Sequence, residues 1–276
     1  MKWLIKLKVL NQQGNELYIS SAEERINSIY NFEYNDGDWM IIDCDKKGGF
    51  YKIQLEDTML ESIVYIPGSF FMYTIPAKDQ RKNYSPKSFY GDCHLIRVEE
   101  ASDEEVYQRR NLAFNPYDQH ENNSFFPHSS ANVETRNECV FASRNAIDGY
   151  FYNESHGSFP FQSWGINKNP NAEFKIDFGR EVLVDEIVLT LRADFPHDNY
   201  WKTATLAFSD GSELVMQLNK TSERQSLRFE SKRVRTIILK NLIKGEELSD
   251  FPALTQFEAW GYEIKNKKKG ERNEKG

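Results

Sequence analysis

The sequence predicts an all-β protein made of two β-sandwich domains, and three observations carry that prediction. Residues 174–178 and 182–191 alternate apolar with polar side chains, which is the period of a strand with one buried face. Asp210-Gly211 separates two further alternating runs, and this dipeptide favours a tight hairpin because both turn positions accept positive φ. The composition is 39% hydrophobic and 14% aromatic, while helix-favouring residues do not recur at helical spacing over long windows.

The first 108 residues are predicted to form an N-terminal β-sandwich of unknown role. Short alternating runs are separated there by turn sequences, for example at residues 35–37 and 67–68. The predicted strands cover residues 3–9, 16–20, 25–34, 38–43, 50–55, 62–66, 69–75 and 94–99. Several short strands at this spacing indicate a sandwich or a jelly roll, and the polar residues 79–90 indicate a long loop.

A charged connector is predicted to join this sandwich to a second domain. Residues 102–105 read Ser-Asp-Glu-Glu, which is typical of a helix start, so a short helix is expected there. The second domain is predicted over residues 109–262. Residues 263–276 are too polar to pack and are predicted to form a disordered tail.

The net charge of −7 argues against a nucleic-acid surface, because phosphate binding needs a basic face. The basic cluster at residues 265–269 is interpreted as part of the solvated tail.

Lysines interrupt the first ten residues, so they do not resemble a signal peptide, and no run approaches the ~20 apolar residues that span a bilayer. Cys44, Cys93 and Cys139 are therefore predicted to be free thiols, and a cytoplasmic location is expected.

A series of short motifs runs through the second half of the chain. In order they are Asn111-Leu112-Ala113, Ser129-Ser130-Ala131, Ala146-Ile147-Asp148-Gly149, Trp164, Ile176-Asp177-Phe178-Gly179, Ser209-Asp210-Gly211-Ser212, Arg233-Val234-Arg235-Thr236-Ile237 and Phe257-Glu258-Ala259-Trp260-Gly261. Taken together they resemble the discoidin, or coagulation-factor type C, domains. These include the family-32 carbohydrate-binding modules and share the galactose-binding-like jelly roll. The resemblance begins at Asn111, and the chain departs from the family pattern in the insert at residues 150–163.

The resemblance implies a sugar site and a structural calcium. In the resembling modules, loops at one end of the barrel bind the sugar. A calcium ion often lies in the Ala-x-Asp-Gly loop against the final strand, so Asp148 and Glu258 would be its side-chain ligands. The alternative is that Asp148 only forms an Asx turn before Gly149.

The residues themselves point to the loop at 192–201 as a ligand site. A sugar needs planar donors, acceptors for adjacent hydroxyls and an aromatic face for its C–H side. The loop supplies all three, and the neighbouring loop at 153–165 has a similar composition. The predicted carbohydrate-binding residues are His156, Trp164, Arg192, Asp194, His197, Asp198 and Trp201. Arg192 is expected on the solvent side of its strand end, and residues 132–136 are a further candidate wall of the same mouth.

The alternative interpretation is structural. The aspartates would cap turns, while Trp164 would lie in the core and Trp201 would plug the end of the sandwich. The five histidines lack metal-ligand spacing, so a zinc site is not predicted.

Three functions follow. The leading prediction is a non-catalytic carbohydrate-binding protein. The first alternative is a protein-interaction scaffold that uses the same loops against a partner chain or a second copy. The second is a glycan-processing enzyme with its site between the domains, for which Asp194 and Asp198 would be a candidate carboxylate pair.

Overall fold

The structure is a computed structural model that describes residues 4–152, 157–193 and 199–265. Within these residues it contains sixteen strands and one short α-helix. The strands are β1 (Leu4–Leu10), β2 (Glu16–Glu23), β3 (Arg25–Tyr30), β4 (Trp39–Cys44), β5 (Gly49–Gln54), β6 (Ser62–Ile66), β7 (Phe70–Thr74), β8 (His94–Glu100), β9 (Arg110–Asn111), β10 (His128–Ala131), β11 (Trp164–Gly165), β12 (Phe174–Leu191), β13 (Trp201–Phe208), β14 (Glu213–Gln217), β15 (Gln225–Lys244) and β16 (Ala253–Glu263). The predicted all-β class is confirmed.

The N-terminal part is a sandwich of two four-stranded antiparallel sheets. One sheet has the order β2-β1-β4-β7 and the other the order β3-β8-β5-β6. Side chains alternate between buried and accessible along these strands, as in β4 and β5, so one face of each sheet supplies the core. The predicted strands are found, and residues 79–90 form no strand.

The C-terminal part is one large sheet with the order β11-β16-β12-β15-β13-β14, to which β10 and β9 add at β12 and β16. The runs predicted separately at 174–178 and 182–191 form one 18-residue strand, β12. Gly179 lies between them with φ +70, and the register against β15 shifts between Asp177 and Val182. This irregularity explains the break in the sequence pattern. The predicted hairpin is confirmed as β13 and β14.

The helix α1 (Asp103–Tyr107) lies between the two parts, as the charged connector predicts. Ser102 caps it, because its hydroxyl accepts from the amide of Glu105, whose carboxylate accepts from the amide of Ser102. The segment that follows contributes to both parts of the molecule. Leu112 packs in the C-terminal core, whereas Tyr117 and Phe125 pack in the N-terminal core. The division near residue 108 therefore stays a prediction.

A buried ion cluster joins the two parts. Glu263, the last residue of β16, accepts from Arg110 at 2.7 Å and from Arg180 Nε at 2.9 Å. The Arg180 guanidinium also lies over the rings of Phe50 and Tyr65 in the N-terminal sandwich, at 5.0 and 4.9 Å. Glu263 thus belongs to the fold, although the sequence placed it in the tail.

Cys44, Cys93 and Cys139 are free, as predicted. In the part of the chain that the structure describes, no helix has the length and apolar character to cross a bilayer.

Candidate functional site

A cavity of about 500 Å³ opens at one end of the C-terminal sheet. It lies where β11 ends at Gly165, where β12 gives way to Arg192 and where β16 begins at Ala253. The loops that follow or precede these strands form its walls. The position agrees with the resemblance, which implies a ligand site in loops at one end of the barrel.

One wall is a short turn at residues 135–137, which overlaps the segment 132–136 predicted to border the mouth. Arg136 and Asn137 adopt positive φ, both 53°, so the chain reverses tightly there. The hydroxyl of Thr135 accepts a hydrogen bond of 2.9 Å from the amide of Asn167 on the opposite wall. Gly165 is required at the floor, because a Cβ there would lie 2.6 Å from the Thr135 hydroxyl. The two walls are therefore held together by short contacts.

Two of the aromatic rings that line the cavity each have a cation over one face. Arg136 lies over the ring of Phe141 at 5.4 Å, and Lys168 lies over the ring of Phe251 at 4.7 Å. Arg136 also donates two hydrogen bonds, of 2.6 and 2.9 Å, to the carboxylate of Glu138. Such pairs place flat apolar faces next to charged donors, which is the combination that sugar binding requires.

Arg192 lines this cavity, but it is not on the solvent side of its strand. Its side chain is almost completely buried and donates a hydrogen bond to the carbonyl of Phe161. Its backbone amide donates to the carbonyl of Ala253 at 2.9 Å. The expected exposure is wrong because loops cover both faces of the end of β12, where residues 186–192 are all buried.

Trp164 and Trp201 are fully buried in the C-terminal core. Their rings lie 6.1 Å apart, and the indole N–H of Trp164 donates to the carbonyl of Val133 at 2.9 Å. Neither ring offers a face to a ligand, so the prediction that they stack on a sugar is wrong. For these two tryptophans the alternative is confirmed, because both indoles lie in the C-terminal core, where burial of a large ring stabilises the fold.

Four predicted binding residues lie outside the described residues, namely His156, Asp194, His197 and Asp198. Arg192, which precedes this segment, lines the cavity, whereas Asn199 follows it. The side-chain amide of Asn199 donates to the carbonyl of Ser249 at 2.6 Å, and its backbone bridges to Pro252, which lines the cavity. The contribution of these four residues stays a prediction.

Asp148 is buried in a ring of N–H donors. Its Oδ1 accepts from the amide of Tyr150 at 2.9 Å and from Gln256 Nε2 at 2.7 Å, and its Oδ2 accepts from Gln162 Nε2 at 3.0 Å. Burial raises the pKa of Asp148 to about 6, and the charge of Arg144 together with these hydrogen bonds opposes the rise. The expected Asx turn is therefore present, with two side-chain amides added.

Glu258 is buried elsewhere, with partners of its own. Its carboxylate accepts from Arg224 at 2.9 and 2.7 Å and from the indole N–H of Trp260 at 2.9 Å. Calcium binds oxygen atoms, whereas the positions around Asp148 and Glu258 are taken by N–H donors. These donor sets do not fit the ion, and calcium at this pair stays a prediction that the geometry does not favour.

Sequence reasoning missed Phe141, Phe161, Lys168 and Phe251 at the cavity. Phe251 and Pro252 stand in an otherwise polar stretch, and an isolated aromatic residue there was the available signal. Nothing in the sequence shows that this stretch faces residues 135–141.

No family model matches this chain, and no curated protein matches it. Among solved structures, it is similar to a chitosan-binding module of a chitosanase/glucanase from Paenibacillus sp. IK-5, at 15% identity and a TM-score of 0.38, over 56% of this chain and 100% of that one. It is also similar to the family 32 module of C. perfringens NanJ in complex with galactose, at 15% identity and a TM-score of 0.37, over 48% of this chain and 91% of that one.

A fucose-binding module from Streptococcus pneumoniae is similar as well, at 13% identity and a TM-score of 0.39, over 56% of this chain and 99% of that one. All three are carbohydrate-binding modules.

Proposed function

We propose that this protein binds a carbohydrate, without transforming it, in the cavity at the loop end of the C-terminal sheet. The observation that carries the proposal is the composition of that cavity. The rings of Phe141 and Phe251 supply apolar faces, while Arg136, Lys168 and the backbone around Asn167 supply hydrogen-bonding groups next to them. Sugar recognition needs both kinds of group within one small concave surface.

One further feature of the described lining bears on its function. Glu138 is the one carboxylate among the described residues that line the cavity, and it is held by Arg136. Glycoside hydrolysis uses two carboxylates, so the described lining favours binding over catalysis.

The test is binding to a glycan array, followed by calorimetric titration of the strongest ligand against two single variants. We expect Phe251→Ala to weaken binding about fivefold to tenfold, because the half-exposed ring then no longer covers the sugar. Phe32→Ala is the matched control, since Phe32 is an exposed phenylalanine of the N-terminal part and lines no part of the cavity. Equal affinities for the two variants, or no glycan bound by the unaltered protein, would contradict the proposal.

A further inference from the structure

The described lining of the cavity carries an excess of positive charge in a protein that is acidic as a whole. Arg192 is buried and already engaged, so the accessible charges of the described lining are those of Lys82, Arg136 and Lys168, against the carboxylate of Glu138. These four side chains leave an excess of two positive charges, whereas the whole chain has a net charge of −7. A concave surface with charge opposite to its surroundings selects ligands by the sign of their charge.

Among the described residues, the carboxylates next to these cations already have partners. Glu138 is engaged by Arg136, and the hydrogen bond from Arg136 lowers the pKa of Glu138, with a further contribution from the charge of Lys82. Asp250 lies 3.8 Å from Lys168 but makes a closer ion pair, of 2.5 Å, with Lys244. The ammonium of Lys168 is more than half exposed and is directed over Phe251 at the mouth.

We propose that the ligand is an acidic saccharide, meaning a sugar ring that carries a carboxylate, such as a hexuronate. This inference rests on the proposed function and adds the charge of the ligand to it. The ring would pack on the phenylalanine faces while its carboxylate accepts charge-assisted hydrogen bonds from the cations at the mouth. A neutral hexose of the same shape would make the first contact without the second.

The experiment compares galacturonate with galactose, which differ at one carbon, by calorimetric titration of the full chain. We expect galacturonate to bind about tenfold more tightly at about 20 mM salt, and this advantage to shrink at about 500 mM salt. Lys168→Gln should weaken the binding of galacturonate by a larger factor than the binding of galactose, and so reduce the preference. Lys47→Gln, at an exposed lysine of the N-terminal part, is the matched control and should preserve the preference.

Each outcome has a separate meaning. Equal binding of the two sugars, or a preference that Lys168→Gln does not alter, overturns the acidic ligand and leaves the proposed function standing. Failure of glycans of either kind to bind overturns the proposed function and this inference with it.

A second, independent observation concerns Gln256 on β16. Its side-chain nitrogen lies among three oxygen atoms, 2.8 Å from the carbonyl of Asn145, 2.7 Å from Oδ1 of Asp148 and 3.3 Å from the carbonyl of Tyr150. Its side-chain oxygen accepts from the amide of Gly149 at 3.0 Å. This last bond fixes the orientation of the amide, because a flipped group would set oxygen against oxygen and N–H against N–H.

We infer that the amide of Gln256 takes the place of a cation in tying the loop at residues 145–150 to the final strand. Two carbonyls and a carboxylate oxygen around one point are an arrangement that a hard cation would accept. Here an uncharged NH₂ group fills that point and donates to the surrounding oxygens. The loop is therefore held without a metal ion.

The test is the melting temperature of the protein with excess calcium and with a chelator. We expect the same value in both, because the oxygens already have their donors. Gln256→Glu places a second carboxylate beside Asp148, so it should lower the melting temperature in chelator and make it rise with calcium. Gln162→Glu is the matched control, since Gln162 contacts Asp148 but neither of the two carbonyls. A calcium-dependent melting temperature in the unaltered protein overturns the inference even if the variants fail to fold.

Discussion

Replacing Glu263 by glutamine is expected to lower the free energy of unfolding by about 3–5 kcal/mol, which is the cost of leaving buried charges without their partner. Glu263 is buried and binds Arg110 and Arg180, whose side chains are only 14% and 12% exposed. Glutamine has the same shape but no charge, and its NH₂ group would face guanidinium donors. Burial already lowers the pKa of Arg110 to about 10, and the charge of Glu263 opposes that shift.

The effect should extend beyond the C-terminal sheet. Arg180 contacts Glu263 on one side and the rings of Phe50 and Tyr65 on the other. Loss of the carboxylate therefore removes the group that holds this arginine between the two parts of the molecule. We expect the near-ultraviolet spectrum, which reports tyrosine packing, to change together with the stability.

The measurement is urea denaturation followed by far-ultraviolet circular dichroism. Glu181→Gln is the matched control, because the Glu181–Arg233 pair is more than half exposed on both sides. Exposed ion pairs contribute about 0–1 kcal/mol, so this control should unfold almost as the unaltered protein does. If the two variants have the same denaturation midpoint, the cluster at Glu263 does not hold the structure together.

Replacing Gly261 by alanine is expected to cost about 3 kcal/mol or more, at the upper end of what overpacking of a core costs. Gly261 pairs with Val184 where β16 crosses β12. A Cβ at this position would overlap the carbonyl oxygen of Leu183 and lie 2.8 Å from its carbonyl carbon and 2.9 Å from Cα of Val184. These are backbone atoms in the centre of the sheet, so they move only if the strands separate.

Soluble yield and the urea midpoint measure this effect. Gly68→Ala is the matched control, since the atoms nearest to its Cβ, the oxygen and nitrogen of Phe70, lie 3.8 and 3.9 Å away. That contact is ordinary, and the change in stability should stay within about 0.5 kcal/mol. If Gly261→Ala changes the free energy of unfolding by no more than about 0.5 kcal/mol, the two strands have more freedom than their register indicates.

Local pattern was sufficient for most of the elements. Alternation predicted the strands of the N-terminal part and the two runs of β12, Asp210-Gly211 predicted the hairpin of β13 and β14, and residues 102–105 predicted α1. Each of these signals depends on a few neighbouring residues, and the element that it predicts forms from those same residues.

The candidate site was predicted only in outline. The sequence predicted a ligand site in loops at one end of the C-terminal domain. Arg192, one of the residues predicted for that site, does line the cavity. It could not distinguish a ring that faces a ligand from one that fills the core, because Trp164, Trp201 and Phe251 all stand in polar loops or at strand ends. Burial decides between these roles, and burial depends on which distant segments pack over each ring.

By itself, the sequence determined that this chain is an all-β protein with a discoidin-like order of motifs and a polar, aromatic loop region. Only the tertiary structure decided that the Gln256 amide lies among the oxygens at Asp148, that Glu263 joins both parts, and that residues 135–141, 157–168 and 251–253 border one cavity. The reason is sequence separation. Gln256 and Asp148 are 108 residues apart, and Arg110 and Glu263 are 153 apart, so only the tertiary packing brings these groups within hydrogen-bonding distance.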